Sequence, residues 1–499
     1  MRETLKGAAG AAVHAGRLAF DAVDADRMLQ RSMVAMIELA RTRQRMWPAS
    51  VWAPGEQLKL LFVGYNGTRN TGADVRVEEM IRQFRHVLGD DYLSTSVATV
   101  DPACSQGYFP TSKQLHMPKV FPKFLFDHVH LNHGVVIAEG SMFKSLFANA
   151  LSTLMVGALG LARAERKLGI AYGGEAGAMD RSLRKLVAHY ARDALILVRN
   201  AQSRDVLSKL DVVAEVGTDT AWTFEPRPHQ DVRKLLTRSG WDGQSPILAV
   251  CPINGFWWPV KPSLSKAVLH GVTGAYRQDH YASLYFHKGG REVRAKQRSY
   301  LEAMATAIAR IAHEQRAFVC IVGMERLDRG ACEDLAACLG RHVPLFISDE
   351  WDMHELVAIL RQATWLISSR YHAIVTTMPA GVLSLGVTMD ERIVNLMADR
   401  DQDAFALDIE QPQLSENIYD AFCAMQARPD SVRDGILRSV ARNIRRMGSM
   451  GQVLARHVQE RLPKFPLREE LRASADPLKF LPPLSSALGH LMEEYGEQA

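Results

Sequence analysis

Two arginines stand directly after apolar runs of the sequence, one in each half of the chain. Arg370 lies between a predicted strand and an apolar helix that also carries His372. Arg199 follows another apolar run, with Ser203 behind it. A guanidinium group binds carboxylates and phosphates through paired hydrogen bonds, and a histidine titrates near neutral pH. These residues are therefore candidates for binding an anion and moving a proton. The alternative is that Arg370 pairs with an acid at the edge of the core and His372 caps the helix.

A glycine-containing loop, Gly64–Asp74, follows the first predicted strand and precedes a predicted helix. A glycine such as Gly72 lets backbone amides approach a ligand, and the start of a helix favours negative charge. Asn70 and Asp74 are the polar candidates in the loop, the alternative being a tight turn with Asp74 near the helix start. Neither common glycine-rich nucleotide motif is present. Glu139 ends a further strand, beside a glycine that allows close backbone approach.

Two other segments carry polar side chains that could bind ligands. If 127–133 is a strand, His128 and His130 share one face and could bind zinc. No third ligand is fixed, however, and solvated histidines are the commoner case, so we predict no metal site. The basic run 287–298 follows a segment rich in Trp and Tyr. Carbohydrate stacking and phosphate binding are conceivable there, although a charged run is usually a solvated face.

Short apolar runs alternate with helical segments along most of the chain, which is the pattern of βαβ units with parallel strands. The predicted strands are 58–63, 134–138, 169–172, 194–198 and 212–216, then 247–252, 318–322, 345–347, 365–368 and 383–386. The sequence therefore predicts an α/β fold of two Rossmann-like domains facing a cleft, with ligand sites at the carboxyl ends of the strands. The predicted organisation is an N-terminal helical extension (1–57), a first domain (58–222), a linker (223–245), a second domain (246–412) with an insertion (255–298), and a C-terminal helical tail (413–499).

The composition is that of an ordinary globular protein, with 47% hydrophobic and 23% charged residues. A net charge of +5 over 499 residues gives no global nucleic-acid signature, so we predict no nucleic-acid partner. The six cysteines show no metal spacing, and residues 5–23 are too charged for a secretory signal. We expect a cytoplasmic protein. The apolar and basic N-terminal segment makes peripheral contact with a membrane surface the less favoured alternative to packing against the body.

Five motifs, taken in order, resemble the polysaccharide pyruvyl transferase family. They are Gly64 with Asn70–Asp74, Val135–Gly140, Arg199–Ser203, Asp219–Trp222 and Ser368–Ala373. Ser368–Ala373 matches the family's Ser-x-Arg-(Leu/Tyr)-His-Ala and is the most specific of the five. The acidic residue of the first motif, Asp74, is displaced by one position. The order and spacing of the motifs hold over residues 58–400, outside which lie the two terminal extensions.

The resemblance implies a GT-B-like fold and the transfer of pyruvate from phosphoenolpyruvate to hydroxyls of a sugar in a polysaccharide or its precursor. The product would be a ketal, or an enol ether if the reaction stops halfway. Phosphoenolpyruvate would be the donor substrate, and the acceptor would be a sugar or glycan, including a lipid-linked one. The resemblance implies no metal and no organic cofactor.

The resemblance also divides the polar candidates into two groups. The residues that would bind substrate are Arg370, Arg199, Asn70, Gly72 and Ser203, and the two arginines among them would supply the cations for the donor. His372 would protonate the methylene carbon of the donor or stabilise the departing phosphate. A carboxylate, either Glu139 or Asp74, would accept the proton of the attacking sugar hydroxyl.

Two other functions are compatible with the same fold, because a fold alone does not determine a function. A GT-B glycosyltransferase would place the pyrophosphate of a nucleotide sugar against the same cations. A catalytically inactive sugar-binding relative would keep the cleft and lose the acid. The donor distinguishes these cases, since phosphoenolpyruvate needs cations but no pocket for a base or a ribose.

Overall fold

The computed structural model describes residues 25–48, 52–277, 279–282 and 284–496 of the chain. The rest of the predicted N-terminal extension, 1–24 and 49–51, lies outside the described residues. Helix α1 (Ala25–Met46) comes first. Its apolar face, with Met33, Ile37 and Ala40, is fully buried in the core of the first domain. The described part of the extension therefore packs against the body of the protein.

Seven strands form the first sheet: β1 (Leu58–Val63), β2 (Leu93–Thr99), β3 (Ser112–His116), β4 (Gly134–Ile137), β5 (Leu168–Gly174), β6 (Leu195–Val198) and β7 (Glu215–Val216). The helices that connect them are α2 (Thr71–Leu88), α3 (Pro122–Leu131), α4 (Asn149–Ala164), α5 (Arg181–Tyr190) and α6 (Ala201–Ser208). All neighbouring strands are parallel, in the order β3-β2-β1-β4-β5-β6-β7. The strand order reverses between β1 and β4, and such a switch point opens a crevice at the carboxyl ends of the strands.

The chain then passes through α7 (Val232–Arg238) and enters the second domain at β8 (Ile247–Cys251). The predicted insertion follows directly. It contains β9 (Lys261–Pro262), α8 (Leu264–Thr273), β10 (His280–Ala282) and β11 (Tyr285–Phe286). The three strands form a small antiparallel sheet in the order β10-β11-β9. The insertion is thus an antiparallel element added to a parallel fold.

The second domain alternates helices and strands as α9 (Arg291–Glu314), β12 (Phe318–Gly323), α10 (Arg329–Leu339), β13 (Leu345–Ile347), α11 (Met353–Arg361), β14 (Trp365–Ser368), α12 (Tyr371–Thr377), β15 (Leu383–Thr388), α13 (Glu391–Asp399) and β16 (Ala406–Asp408). Its six parallel strands have the order β13-β12-β8-β14-β15-β16. The order again reverses beside the first strand, between β8 and β14. The predicted fold class is confirmed: two Rossmann-like α/β domains face each other across a cleft.

The C-terminal helices are α14 (Leu414–Gln426), α15 (Pro429–Arg461), α16 (Glu469–Arg472) and α17 (Ser486–Tyr495). Helix α15 returns to the first domain. The side-chain amide of Gln83 on α2 donates hydrogen bonds to the carbonyl oxygens of Met447 (2.7 Å) and Phe480 (3.1 Å). The hydroxyl of Thr218 donates to Asn443 (2.6 Å). The last segment of the chain therefore completes the packing of the first domain.

The segment 127–133, which would have to be a strand for His128 and His130 to share one face, belongs largely to helix α3. His128 and His130 consequently do not form an alternating pair on one strand face. His128 packs against Phe124, and His130 Nδ1 lies within hydrogen-bonding distance of Glu165 Oε2 (3.2 Å). Among the described residues, no group of three or more His, Cys, Asp or Glu side chains could hold a metal ion. Likewise, none of the helices in the described ranges is long and apolar enough to cross a bilayer.

Candidate functional site

The carboxyl ends of the two sheets face a common interdomain cleft. The first domain contributes Tyr65, Asn70, Glu139, Ser141 and Phe147 to its walls. The second domain and its insertion contribute Asn254, Trp257, Trp258, Tyr281, Glu325, Asp328, Arg370 and Arg392. Charged, amide and aromatic side chains thus meet where both strand orders reverse, the position expected for a ligand in an open parallel sheet.

Arg370 lies at the start of α12, between two carboxylates that follow β12. Its guanidinium group is 3.0 Å from Glu325 Oε2, and its Nε donates to Asp328 Oδ2 at 2.9 Å. Burial raises the pKa of both carboxyl groups above the ordinary values, although Arg370 opposes this shift. The pairing of Arg370 with acids, one of the two sequence-based alternatives, is therefore present. The side chain nevertheless remains 22% exposed at the cleft.

The loop before α2 joins the two domains at the cleft. Asn70 caps the helix by accepting a hydrogen bond from the Ala73 N–H, as residues of this type do at helix starts. Its amide nitrogen also donates to Glu325 Oε2 at 3.0 Å. The next N–H, of Thr71, donates to the Met324 carbonyl at 2.9 Å. Asn70 therefore has a structural role and also lines the cleft.

The two predicted bases occupy different environments. Glu139 lines the cleft; its Oε1 accepts from the N–H groups of Gly140 (2.8 Å) and Ser141 (3.3 Å). Its Oε2 is buried and accepts no hydrogen bond from any described residue. Asp74 is almost wholly buried in the first turn of α2 and is not among the residues that line the cleft. Burial raises the pKa of Asp74 well above its ordinary value. Glu139 is thus the better placed of the two to meet a ligand.

Asp219 connects three ionisable side chains at the domain interface. Its Oδ2 is 2.9 Å from Arg76 Nε, 3.1 Å from Arg199 Nη1 and 3.3 Å from His372 Nε2. Burial alone would raise its pKa, but Arg76, His372 and Arg199 together hold the pKa of Asp219 far below its ordinary value. Asp219 is therefore an anion, and the hydrogen shared with His372 belongs to the imidazole Nε2.

His372 crosses from the second domain to the first and reaches both Asp219 and the loop containing Gly72. Burial lowers the pKa of His372, and the pairing with Asp219 only partly opposes this. The imidazole is therefore neutral at neutral pH. With Nε2 donating to Asp219, Nδ1 is left as a hydrogen-bond acceptor. His372 is not among the residues that line the cleft, and its Nδ1 side lies against Gly72. This geometry favours a positioning role over the predicted roles of donating a proton or stabilising the departing phosphate.

Gly72 makes the approach of the His372 ring to the first domain sterically feasible. A Cβ atom at this position would lie 2.2 Å from His372 Nδ1. We expect Gly72→Ala to displace the ring, weaken its hydrogen bond to Asp219 and destabilise the protein by about 1–3 kcal/mol in urea unfolding. Gly330→Ala is the matched control, because Gly330 lies in a helix with open space where a Cβ would go. Equal stability of Gly72→Ala and the control would refute this packing role.

The structure places Arg199 and Ser203 outside the cleft. Arg199 lines an adjoining interdomain pocket, donates to the Gly140 carbonyl (3.0 Å) and lies over the Tyr371 ring (4.7 Å). The Ser203 hydroxyl is buried and exchanges hydrogen bonds with the backbone of Ala176. Ser203 therefore holds the loop after β5, and Arg199 belongs to the ionic network around Asp219.

Arg392 is a second arginine at the cleft, and the sequence analysis did not identify it. It lies near the start of α13, pairs with Asp390 (2.6 Å) and lies over the Phe147 ring (4.9 Å). It lines both the cleft and the pocket that contains Arg199. The available signal was its position just after β15, which is analogous to that of Arg370 after β14.

The fold and site define a two-domain α/β protein of GT-B-like architecture whose interdomain cleft is lined by arginines and carboxylates. The family model of the polysaccharide pyruvyl transferases matches residues 83–390. The chain belongs to this family, which confirms the resemblance found in the sequence. Membership of the family makes the protein a transferase.

The chain is similar to several solved structures at low sequence identity. Alr3699/HepE from Anabaena in complex with UDP-glucose is 11% identical, with a TM-score of 0.49 and coverage of 81% of this chain and 100% of that one. UDP-GlcNAc 2-epimerase from Neisseria meningitidis is 9% identical, with a TM-score of 0.44 and coverage of 76% and 94%. A family 9 glycosyl transferase from Veillonella parvula is 8% identical, with a TM-score of 0.37 and coverage of 77% and 99%. No curated protein sequence matches the chain.

Proposed function

We propose that the protein transfers pyruvate from phosphoenolpyruvate to hydroxyls of a sugar in a polysaccharide or its precursor, forming a ketal. One observation supports this most. Two arginines at neighbouring strand ends, Arg370 and Arg392, and a carboxylate oxygen of Glu139 without a hydrogen-bond donor line the same cleft. Arginines suit the carboxylate and phosphate of the donor, and the free carboxylate oxygen suits a sugar hydroxyl.

The proposed reaction consumes no oxidant and needs one acid and one base. A proton adds to the methylene carbon of phosphoenolpyruvate, and a sugar hydroxyl attacks the resulting oxocarbenium-like carbon. The C–O bond to phosphate then breaks, and a second hydroxyl of the sugar attacks the same carbon. One hydroxyl proton replaces the proton delivered to the new methyl group, and the other leaves with the phosphate.

We assign the base to Glu139 and the acid to Glu325. Glu139 lines the cleft, and its buried Oε2 accepts no hydrogen bond from any described residue. Glu325 lines the same cleft, and burial raises its pKa, which favours the protonated form needed in a general acid. Once Glu325 has released its proton, its carboxylate competes with the phosphate product for Arg370. His372, anchored by Asp219, holds the interface together behind these groups.

Thermal unfolding with candidate donors tests the proposed function. Phosphoenolpyruvate should raise the melting temperature, because a ligand that binds only the folded state stabilises it, by about 2.7 kcal/mol at 100 times Kd. Salt should weaken the effect, since the contacts are ionic. UDP- and GDP-sugars should give little shift. Pyruvate, which lacks the phosphate, is the control and should stabilise less than phosphoenolpyruvate.

Thermal unfolding, together with an assay of phosphate release, separates the competing functions. Stabilisation by a nucleotide sugar without any by phosphoenolpyruvate would favour a glycosyltransferase. Binding of phosphoenolpyruvate without phosphate release, over a broad set of glycan acceptors, would favour an inactive relative.

A further inference from the structure

The insertion that precedes α9 extends across the cleft and bonds to three parts of the first domain. The Val260 N–H donates to the Phe147 carbonyl at 2.9 Å. The Tyr281 hydroxyl donates to the Tyr65 hydroxyl at 2.7 Å, and the Tyr285 hydroxyl donates to Asp26 on α1 at 2.7 Å. The insertion therefore forms one wall of the cleft and is held by the opposite domain.

This wall presents two adjacent indole rings to the cleft. Trp257 and Trp258 are both partly exposed cleft residues. Trp258 packs edge to face against Phe147 (centroids 5.2 Å apart) and against Tyr281 (6.1 Å). Packing from both domains therefore fixes the position of Trp258, and partial exposure of such rings in a cleft is typical of a binding surface.

Trp257 is held by a buried histidine. The His287 ring stacks on the Trp257 ring with centroids 3.9 Å apart and an angle of 11° between the planes. Burial lowers the pKa of His287 to about 4, so this supporting ring is uncharged at neutral pH. The Lys288 N–H also donates to the Trp257 carbonyl at 2.8 Å. His287 covers one face of the indole and is not itself a cleft residue. The part of Trp257 that lines the cleft is therefore the surface that His287 leaves uncovered.

Two acceptor atoms in the same cleft lack donors. Glu139 Oε2 and Asn254 Oδ1 are buried and accept no hydrogen bond from any residue that the structure describes. Buried acceptors without donors are unfavourable, and a ligand rich in hydroxyl groups would satisfy them. A sugar ring has such hydroxyls at its edge and a C–H face suited to an aromatic ring.

We propose that Trp257 is the platform on which a pyranose ring of the acceptor stacks, with the sugar hydroxyls donating to Glu139 and Asn254. The Trp258 ring, at 85° to that of Trp257, would contact the side of the same sugar. This inference rests on the proposed function, since it places the acceptor beside the donor's arginines. It assigns a role to the insertion, which thereby supplies the acceptor subsite.

Isothermal calorimetry on the full chain with methyl pyranosides of galactose, glucose, mannose and N-acetylglucosamine, each with and without phosphoenolpyruvate, tests this subsite. We expect at least one pyranoside to bind the wild type. Trp257→Ala should weaken that binding about tenfold or more, and Trp257→Phe should restore part of it, because a smaller aromatic face remains. Trp47→Ala is the control, since Trp47 is 68% exposed after α1 and outside the cleft.

The outcomes distinguish the subsite from the overall function. Absence of binding by all four pyranosides, unchanged binding in Trp257→Ala, or binding of uridine in their place would overturn the platform. If pyranoside binding depends on Trp257 but phosphoenolpyruvate gives no thermal shift, the platform stands and the pyruvyl-transfer proposal fails. The thermal shift given by phosphoenolpyruvate should be the same in the Trp47→Ala control as in the wild type.

Discussion

Replacing Arg370 by alanine is expected to weaken phosphoenolpyruvate binding about tenfold to a hundredfold, the usual loss when a charge-assisted hydrogen bond is removed. Arg370→Lys should recover only part of the affinity, because an ammonium group cannot form the paired contacts of a guanidinium group. Arg298→Ala, which removes an exposed arginine of α9, is the matched control and should bind the donor normally. The measurement is the dissociation constant of phosphoenolpyruvate by calorimetry.

Folding must be checked in the same variant, because Arg370 also separates two buried carboxyl groups. Without it, Glu325 and Asp328 would face each other and take up a proton more readily. Circular dichroism at the temperature of the binding experiment shows whether the variant is folded. A folded Arg370→Ala protein that binds phosphoenolpyruvate as tightly as the wild type would rule out Arg370 as the donor's anchor.

The largest loss of stability is expected for Asp219→Ala. This change leaves Arg76, with a fully buried side chain, and Arg199, with a side chain 3% exposed, beside each other without their shared anion. Breaking a buried ion pair in this way costs about 3–5 kcal/mol. Urea unfolding measures the loss. Asp205→Ala removes an exposed aspartate that pairs with Arg204, and as the control it should lose no more than about 1 kcal/mol.

Asp219→Asn refines the test, because it keeps the shape and removes the charge. We expect it to be destabilised nearly as much as Asp219→Ala, since Arg76 loses its carboxylate partner and Arg199 keeps only Glu175 at 3.5 Å. A variant as stable as the Asp205→Ala control would show that the ionic network around Asp219 contributes little to folding.

The strands that were predicted well are those with continuous apolar runs. The bounds of β1 and β14 were predicted to the residue, because both strands are buried and end at a glycine or at polar residues. The strands β2 and β3 were missed, since Ser, Thr, Lys and Gln occupy half or more of their positions. Helix α3 was not predicted, because the two alternating histidines obscured the helical spacing of Phe121, Phe124 and Leu125.

The position of the site could be predicted from the sequence, but the ion pairs between its side chains could not. The rule that ligand residues follow strand ends located Arg370 and Glu139 at the cleft. The same rule also pointed to Arg199, whose partner Asp219 and neighbour Glu175 come from other strand ends. Which cation faces the cleft and which is neutralised behind it depends on distances between strands that sequence spacing does not contain. Arg392 was missed for the same reason.

The return of α15 to the first domain has a consequence for the order in which the protein folds as it is synthesised. The first sheet is complete at Val216, but the residues that cover α2 and the end of β7, such as Met447 and Met450, follow about 230 residues later. At about 5–20 residues per second, the ribosome needs about 10–50 s to make that stretch. During this interval the surface that α15 will cover is exposed. The first domain is therefore the first to start folding and among the last parts of the chain to finish.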